Sequence, residues 1–207
     1  EELESLREAG TYDLVEAPRG AKLFPSRFVL KVKRNSDGTL ERRKARLVLL
    51  GNLQRPFVDF YDTYAPVADF VVVRIVLATA CSKHWIVHQL DVKSAFLNGY
   101  IDEEIYMQLP PEYARADGKV CKLKRSIYGL RQAPRAWNKR LCEDLKGSGF
   151  KALVNAESVF YGVITGSVVY LIIYVDDILV ASSSETAVLT AKKSLRELYK
   201  IKDLGDA

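Results

Sequence analysis

Two adjacent carboxylates, Asp176 and Asp177, stand inside an otherwise apolar stretch, Val168-Val-Tyr-Leu-Ile-Ile-Tyr-Val-Asp-Asp-Ile-Leu-Val-Ala181. Like charges so close raise each other's energy, and a divalent cation removes the repulsion. A third carboxylate, Asp91, closes the mostly apolar segment Ile86-Val-His-Gln-Leu-Asp91. One strand-end Asp and an Asp-Asp hairpin can converge at the tip of one sheet. Three hard oxygen donors suit Mg²⁺ rather than zinc. Two such ions about 4 Å apart form the known clamp for in-line phosphoryl transfer. An Asp-Asp hairpin turn exposed to water is the plainer alternative.

These carboxylates need strands to hold them, and the pattern supplies them. Ile86 to Val92 reads as a strand, and Val159–Ile164 with Val168–Val175 as a hairpin around Gly166. Ile178–Ala181 then returns antiparallel. Phe28–Lys33 alternates apolar and basic residues. Asn35-Ser36-Asp37-Gly38 is turn chemistry, and Arg42–Leu50 is the returning strand of a basic hairpin. Helices are expected at Glu1–Ala9, at Val71–Ala80 as a buried helix, from Pro134 to about Lys146, and at Thr186–Tyr199. Strands and helices intermingle, so the fold class is α+β or α/β.

The chain has 207 residues, 48% hydrophobic and 28% charged, an ordinary globular composition. That composition excludes a disordered tail, a collagen-like fibre and a disulfide scaffold. The longest apolar run, Val168–Val175, is strand-sized, so no membrane partner is expected. Cys81, Cys121 and Cys142 form no Cys-x-x-Cys, which argues against zinc and against a disulfide framework. The first residue is Glu1 rather than Met, and the sequence reads as a piece of a longer protein. Net charge is +5 and unevenly spread. Arg19–Arg46 and Lys119–Arg140 together carry 18 of the 31 basic residues, leaving the remainder net acidic. Two basic segments on an acidic protein suggest a nucleic-acid or nucleotide surface, against the alternative of two solvated faces.

Leu90-Asp91-Val92-Lys93-Ser94-Ala95-Phe96-Leu97-Asn98-Gly99 resembles the first catalytic motif of copia-type LTR-retrotransposon reverse transcriptases. Tyr174-Val175-Asp176-Asp177 resembles the Tyr-x-Asp-Asp box of reverse transcriptases generally. Ser126-Ile127-Tyr128-Gly129-Leu130-Arg131-Gln132-Ala133-Pro134 is similar to the copia-type template and nucleotide motif. Glu103-Glu104-Ile105-Tyr106-Met107-Gln108-Leu109-Pro110-Pro111 and Lys202-Asp203-Leu204-Gly205 are also typical of the family. In this order the motifs cover nearly the whole chain.

The resemblance implies a right-hand polymerase, α+β, with palm and fingers. The thumb and RNase H would follow Lys202-Asp203-Leu204-Gly205 and so would be absent. The implied parts are 1–85, mainly fingers with the basic hairpin; 86–118, palm; 119–150, the template and nucleotide motif; and 151–207, palm with the Tyr-x-Asp-Asp hairpin. It implies addition of dNTPs to a primer 3′-hydroxyl on an RNA or DNA template, with two Mg²⁺ ions for which Mn²⁺ substitutes. Integrase and RNase H domains of the same polyprotein are implied partners. The implied location is a cytoplasmic virus-like particle, or the nucleus.

Asp91 and Asp176 are assigned as ligands of both metals. Asp177 stands near them, with direct ligation open, and the backbone carbonyl of Val92 is a further ligand. Lys33 and Arg46 are candidates for the triphosphate, with Lys31 and Lys44 as alternates. Phe96, five residues past Asp91, would lie under the sugar and exclude a 2′-hydroxyl, or simply pack in the core. Gly129 would allow close approach of a nucleotide or template base, or serve a helix-entry turn. Gln132 and Arg131 would touch template or nucleotide, a plain surface role being the alternative. Lys124 and Arg125 would meet nucleic acid. His84 and His88 read as surface or partly buried groups, and Trp85 and Trp137 as core. Two other functions stay open: a nucleic-acid-binding fragment with weak or no catalysis, and another palm enzyme such as a nucleotidyl cyclase.

Overall fold

The computed structural model describes residues 2–113 and 117–207. Along the chain run α1 (Glu2–Glu8), β1 (Tyr12–Val15), β2 (Leu23–Phe24), β3 (Ser26–Arg34), β4 (Leu40–Leu49), α2 (Phe70–Ser82), β5 (Ile86–Val92), β6 (Tyr106–Met107), β7 (Val120–Leu123), α3 (Ala133–Gly147), β8 (Lys151–Leu153), β9 (Ala156–Ile164), β10 (Ser167–Tyr174), β11 (Asp177–Ser182), α4 (Glu185–Leu198) and β12 (Ile201–Asp206). The fold is mixed α+β. It forms two compact units, Glu1–Tyr64 with Phe96–Trp137, and Ala65–Ala95 with Asn138–Ala207.

In the first unit, β3 and β4 form a two-stranded hairpin, and β1-β7-β6-β2 a small sheet in that order. Its core gathers Leu6, Phe24, Leu47, Leu49, Leu97, Ile105, Met107, Ile127 and Leu130. The hairpin alternates as its sequence suggests. Val29 pairs with Arg46, Lys31 with Lys44 and Lys33 with Arg42, so these cations share one face. On the other face Phe28 pairs with Leu47. Gly38 takes φ +84 in the connecting turn.

The second unit is built on a six-stranded antiparallel sheet, ordered β12-β5-β11-β10-β9-β8. Side chains alternate between its faces. One face carries Leu90, Val92, Ile178 and Val180, all buried. α4 packs on the sheet with Ala187, Val188, Ala191, Lys192 and Leu195 inward. The spacing of these residues makes one helical stripe. The other face carries Gln89, Asp91, Asp177, Leu179 and Ile172, and α2 covers part of it through Val72, Val73 and Val76.

One sequence expectation needs correction here. The helix over Val71–Ala80 exists, with Asp69 accepting the Val71 N–H at 2.8 Å as its cap. It is not buried. Its sequence is mostly apolar apart from Arg74, but only one face reaches the sheet; Phe70 is 66% exposed and Val71 and Ile75 are each 59% exposed. The two compact units exchange chain at 64/65, 95/96 and 137/138. α2 packs on the sheet that contains β5 and so goes with it. Leu97, Ile105 and Met107 pack instead into the core of the first unit.

Candidate active site

The strands that carry the carboxylates are neighbours. β11 pairs antiparallel with β5, and Asp177 stands directly opposite Asp91. The Val92 N–H donates to the Asp176 carbonyl at 2.8 Å, which extends the ladder one step into the turn. Narrow and wide pairs alternate in such a ladder, so Asp91 and Asp177 form a pair without backbone bonds between them. Side chains approach most closely there, with Cβ atoms about 4.5–5.5 Å apart. Both residues are partly buried. The Gln89 side chain donates from Nε2 to Asp177 Oδ1 at 2.9 Å. Because N–H and C=O of one strand residue point the same way, the Val92 carbonyl also faces the turn.

That turn has two central residues, Val175 and Asp176, between the paired Tyr174 and Asp177. Val175 takes φ +57. A positive φ at the first central residue is the pattern of a II′ turn, a position that favours glycine. A β-branched residue there is a true outlier and costs on the order of 1–3 kcal/mol. Tyr174 lies against Phe70 of α2, with ring centroids 6.1 Å apart.

The donor set fits a hard divalent cation in its chemistry. All three groups are carboxylates, two share one face, and a cation would relieve the repulsion between them. Among the described residues, however, no group of three or more His, Cys, Asp or Glu side chains stands close enough to hold a metal ion. The structure brings Asp91 and Asp177 together side by side. It ties Asp176 to β5 through its backbone.

The remaining candidates belong to the first unit. Lys33, Lys31, Lys44 and Arg46 share the basic face of the hairpin. The Arg46 guanidinium lies over the Tyr128 ring at 4.7 Å, and its Nε is buried with no hydrogen-bond partner. Phe96 meets the same Tyr128 edge-on at 5.2 Å, and its carbonyl accepts the Ser126 hydroxyl. Gly129 takes φ +96, and a Cβ there would lie 2.0 Å from the Leu49 carbonyl oxygen. Backbone packing alone therefore requires glycine at this position.

The surface alternative for Gln132 does not hold, because the side chain is only 4% exposed. Its Oε1 accepts from Gln54 at 2.9 Å, and its Nε2 donates to Glu103 at 3.2 Å. Arg131 is exposed, and its Nε donates to the Gly51 carbonyl at 3.2 Å. Lys124 pairs with Asp13 at 2.7 Å, and Arg125 stacks over Tyr100 at 4.9 Å.

Sequence reasoning passed over three groups. Gln89 lies two residues before Asp91, and the strand period of two was the signal available. Tyr128 lies inside the Ser126–Pro134 motif, where no feature of its own sets it apart. Lys192, 4% exposed, bridges His88 Nδ1 at 2.6 Å and Asp203 at 2.6 Å on the α4 side of the sheet. Its place in the apolar stripe of α4 was the only sequence signal.

The family described as reverse transcriptase (RNA-dependent DNA polymerase) matches residues 9–207. The chain is 38% identical to the retrovirus-related Pol polyprotein from transposon TNT 1-94 of Nicotiana tabacum, over 100% of this chain and 16% of that protein. It is 40% identical to the Pol polyprotein from transposon RE1 of Arabidopsis thaliana, over 93% of this chain and 13% of that protein. It is 31% identical to the truncated transposon Ty1-A Gag-Pol polyprotein of Saccharomyces cerevisiae, over 90% of this chain and 15% of that protein. The chain thus spans a small part of each relative's length. It belongs to the reverse transcriptase family of copia-type retrotransposon Pol polyproteins.

Proposed function

We propose that this chain is an RNA- and DNA-directed DNA polymerase that extends a primer 3′-hydroxyl with dNTPs. The observation that carries the reading is the Asp91–Asp177 pair beside a strained turn that bears Asp176, in a chain of this family. Asp91 and Asp176 would hold two Mg²⁺ ions, or Mn²⁺ in their place, with Asp177 beside them and the Val92 carbonyl as a further donor. When bound, the ions supply activation of the attacking hydroxyl and a clamp on the leaving pyrophosphate. Lys33 and Arg46, with Lys31 and Lys44 on the same face, hold the triphosphate. Phe96 rejects the 2′-hydroxyl, and Gly129 and Gln132 border the nucleotide. Lys124, Arg125 and Arg131 meet the nucleic-acid backbone.

In right-hand terms the carboxylate sheet is palm and the basic hairpin is fingers. Integrase and RNase H domains of the polyprotein supply the other steps, in a cytoplasmic virus-like particle or the nucleus. One observation favours a second reading, binding without turnover: no three acidic side chains among the described residues stand within reach of one ion. Primer extension on RNA and DNA templates separates the two. A product ladder that needs dNTP and Mg²⁺ supports polymerisation. Salt-sensitive binding with no ladder supports the second reading.

A further inference from the structure

We propose that Gln89 is a positioning residue, whose side-chain amide fixes Asp177 beside Asp91 before a cation arrives. The inference rests on the polymerase reading above. Gln89 and Asp91 lie two apart on β5 and share a face, and the Leu179 opposite Gln89 is two residues beyond Asp177. Gln89 therefore reaches Asp177 along the diagonal of the ladder, and its Nε2 donates to Oδ1 at 2.9 Å. On its other side Gln89 faces Gly205 of β12, at a bulge in the register. Glycine offers no side chain there to compete for the amide.

The pair needs such a restraint. Carboxylates directly opposite on neighbouring strands repel, and without a donor Asp177 would swing away from Asp91. An amide restrains it without neutralising it. A lysine at this place would put a positive charge where a cation must bind, and an apolar residue would leave the carboxylate unheld. Groups that orient a ligand in this way affect metal affinity by about 10–100-fold.

The test uses the whole chain with Mn²⁺ alone as probe, its binding followed by the loss of the free-ion paramagnetic resonance signal. Gln89→Leu and Gln89→Met both remove the donor while keeping bulk, so one serves if the other misfolds. Both are expected to bind Mn²⁺ about tenfold more weakly, with the melting transition of the wild type. The Mg²⁺ concentration for half-maximal primer extension should rise about as much, while kcat at saturating Mg²⁺ stays near the wild-type value. A purely structural role would lower the folded fraction without moving the binding midpoint. Wild-type Mn²⁺ affinity in both variants, with the wild type extending primers, overturns the role of Gln89 and leaves the polymerase reading intact. A folded wild type that neither binds Mn²⁺ nor extends primers overturns both.

Discussion

Gly129→Ala sets a purely structural demand against a ligand-binding one. The added Cβ would stand 2.0 Å from the Leu49 carbonyl oxygen and 2.7 Å from Val48 Cγ1, at φ +96. A backbone oxygen cannot step aside as a side-chain tip can. The same approach is fixed by the Leu49 N–H, which donates to the Tyr128 carbonyl at 2.9 Å. An L-residue at positive φ costs about 1–2 kcal/mol, and a lost backbone bond about 0.5–1.5 kcal/mol. With loosened packing around Leu49, the sum is about 2–4 kcal/mol. In a chain of this length that lowers Tm by about 5–15 °C. Gly147→Ala is the control, because nothing lies within 4 Å of a Cβ there. It should be neutral or stabilising by up to about 1 kcal/mol. Thermal melts of the two variants read the difference directly. A Gly129→Ala protein that melts with the wild type would refute the packing argument. A destabilised one whose folded fraction keeps the wild-type KM for dNTP would assign the glycine to the fold alone.

If the basic hairpin face meets phosphates, affinity for primer-template should fall steeply with salt, and Lys33→Ala should flatten the log–log slope by about one unit; a salt-independent affinity would make this face a solvated one. Phe96→Val should raise the ratio of rNTP to dNTP efficiency, a ratio that cancels any loss of folded enzyme from the cavity left beside Tyr128; an unchanged ratio would make Phe96 a packing residue only. Asp203→Asn should cost about 1–3 kcal/mol at neutral pH, since it takes a charged partner from buried Lys192. Burial pushes the Asp203 carboxyl up, but hydrogen bonds from Lys192 and the Gly205 N–H, with the charges of Lys192 and Arg196, outweigh it and hold it below the ordinary carboxylate range. Its contribution is therefore present above the titration of the unfolded carboxylate, near about 4, and is lost as pH falls through the lower folded value; urea melts of both proteins should converge in acid, and a constant gap down to that range would contradict the pairing.

Much of the carboxylate sheet was legible in the sequence. Ile86–Val92 is mostly apolar and strand-sized and becomes β5 with those bounds, and the apolar run before Asp176 becomes β10. Strand β12 was not foreseen, because Ile-Lys-Asp-Leu-Gly-Asp mixes charges with a glycine whose φ of +83 makes a bulge. β1 and β7 are short, and their pairing joins residues far apart in the chain. The exposure of α2 was hidden because a mostly apolar helix looks the same buried or bare. The carboxylates were legible as residues but not as a register. That Asp177, rather than Asp176, lies opposite Asp91 follows from a two-residue turn with Val175 at positive φ. β-branching made that conformation the least expected one. The burial of Gln132 was not legible, because its partners Gln54 and Glu103 come from distant segments.

The central claim is that these carboxylates perform metal-dependent nucleotide addition. Its most direct test is single-turnover primer extension by Asp176→Asn beside the wild type, with folding checked by circular dichroism. The substitution keeps the shape and removes one charge. The rate should fall by orders of magnitude in a folded protein, with Mn²⁺ binding weakened in parallel. Near-normal extension by folded Asp176→Asn would contradict it.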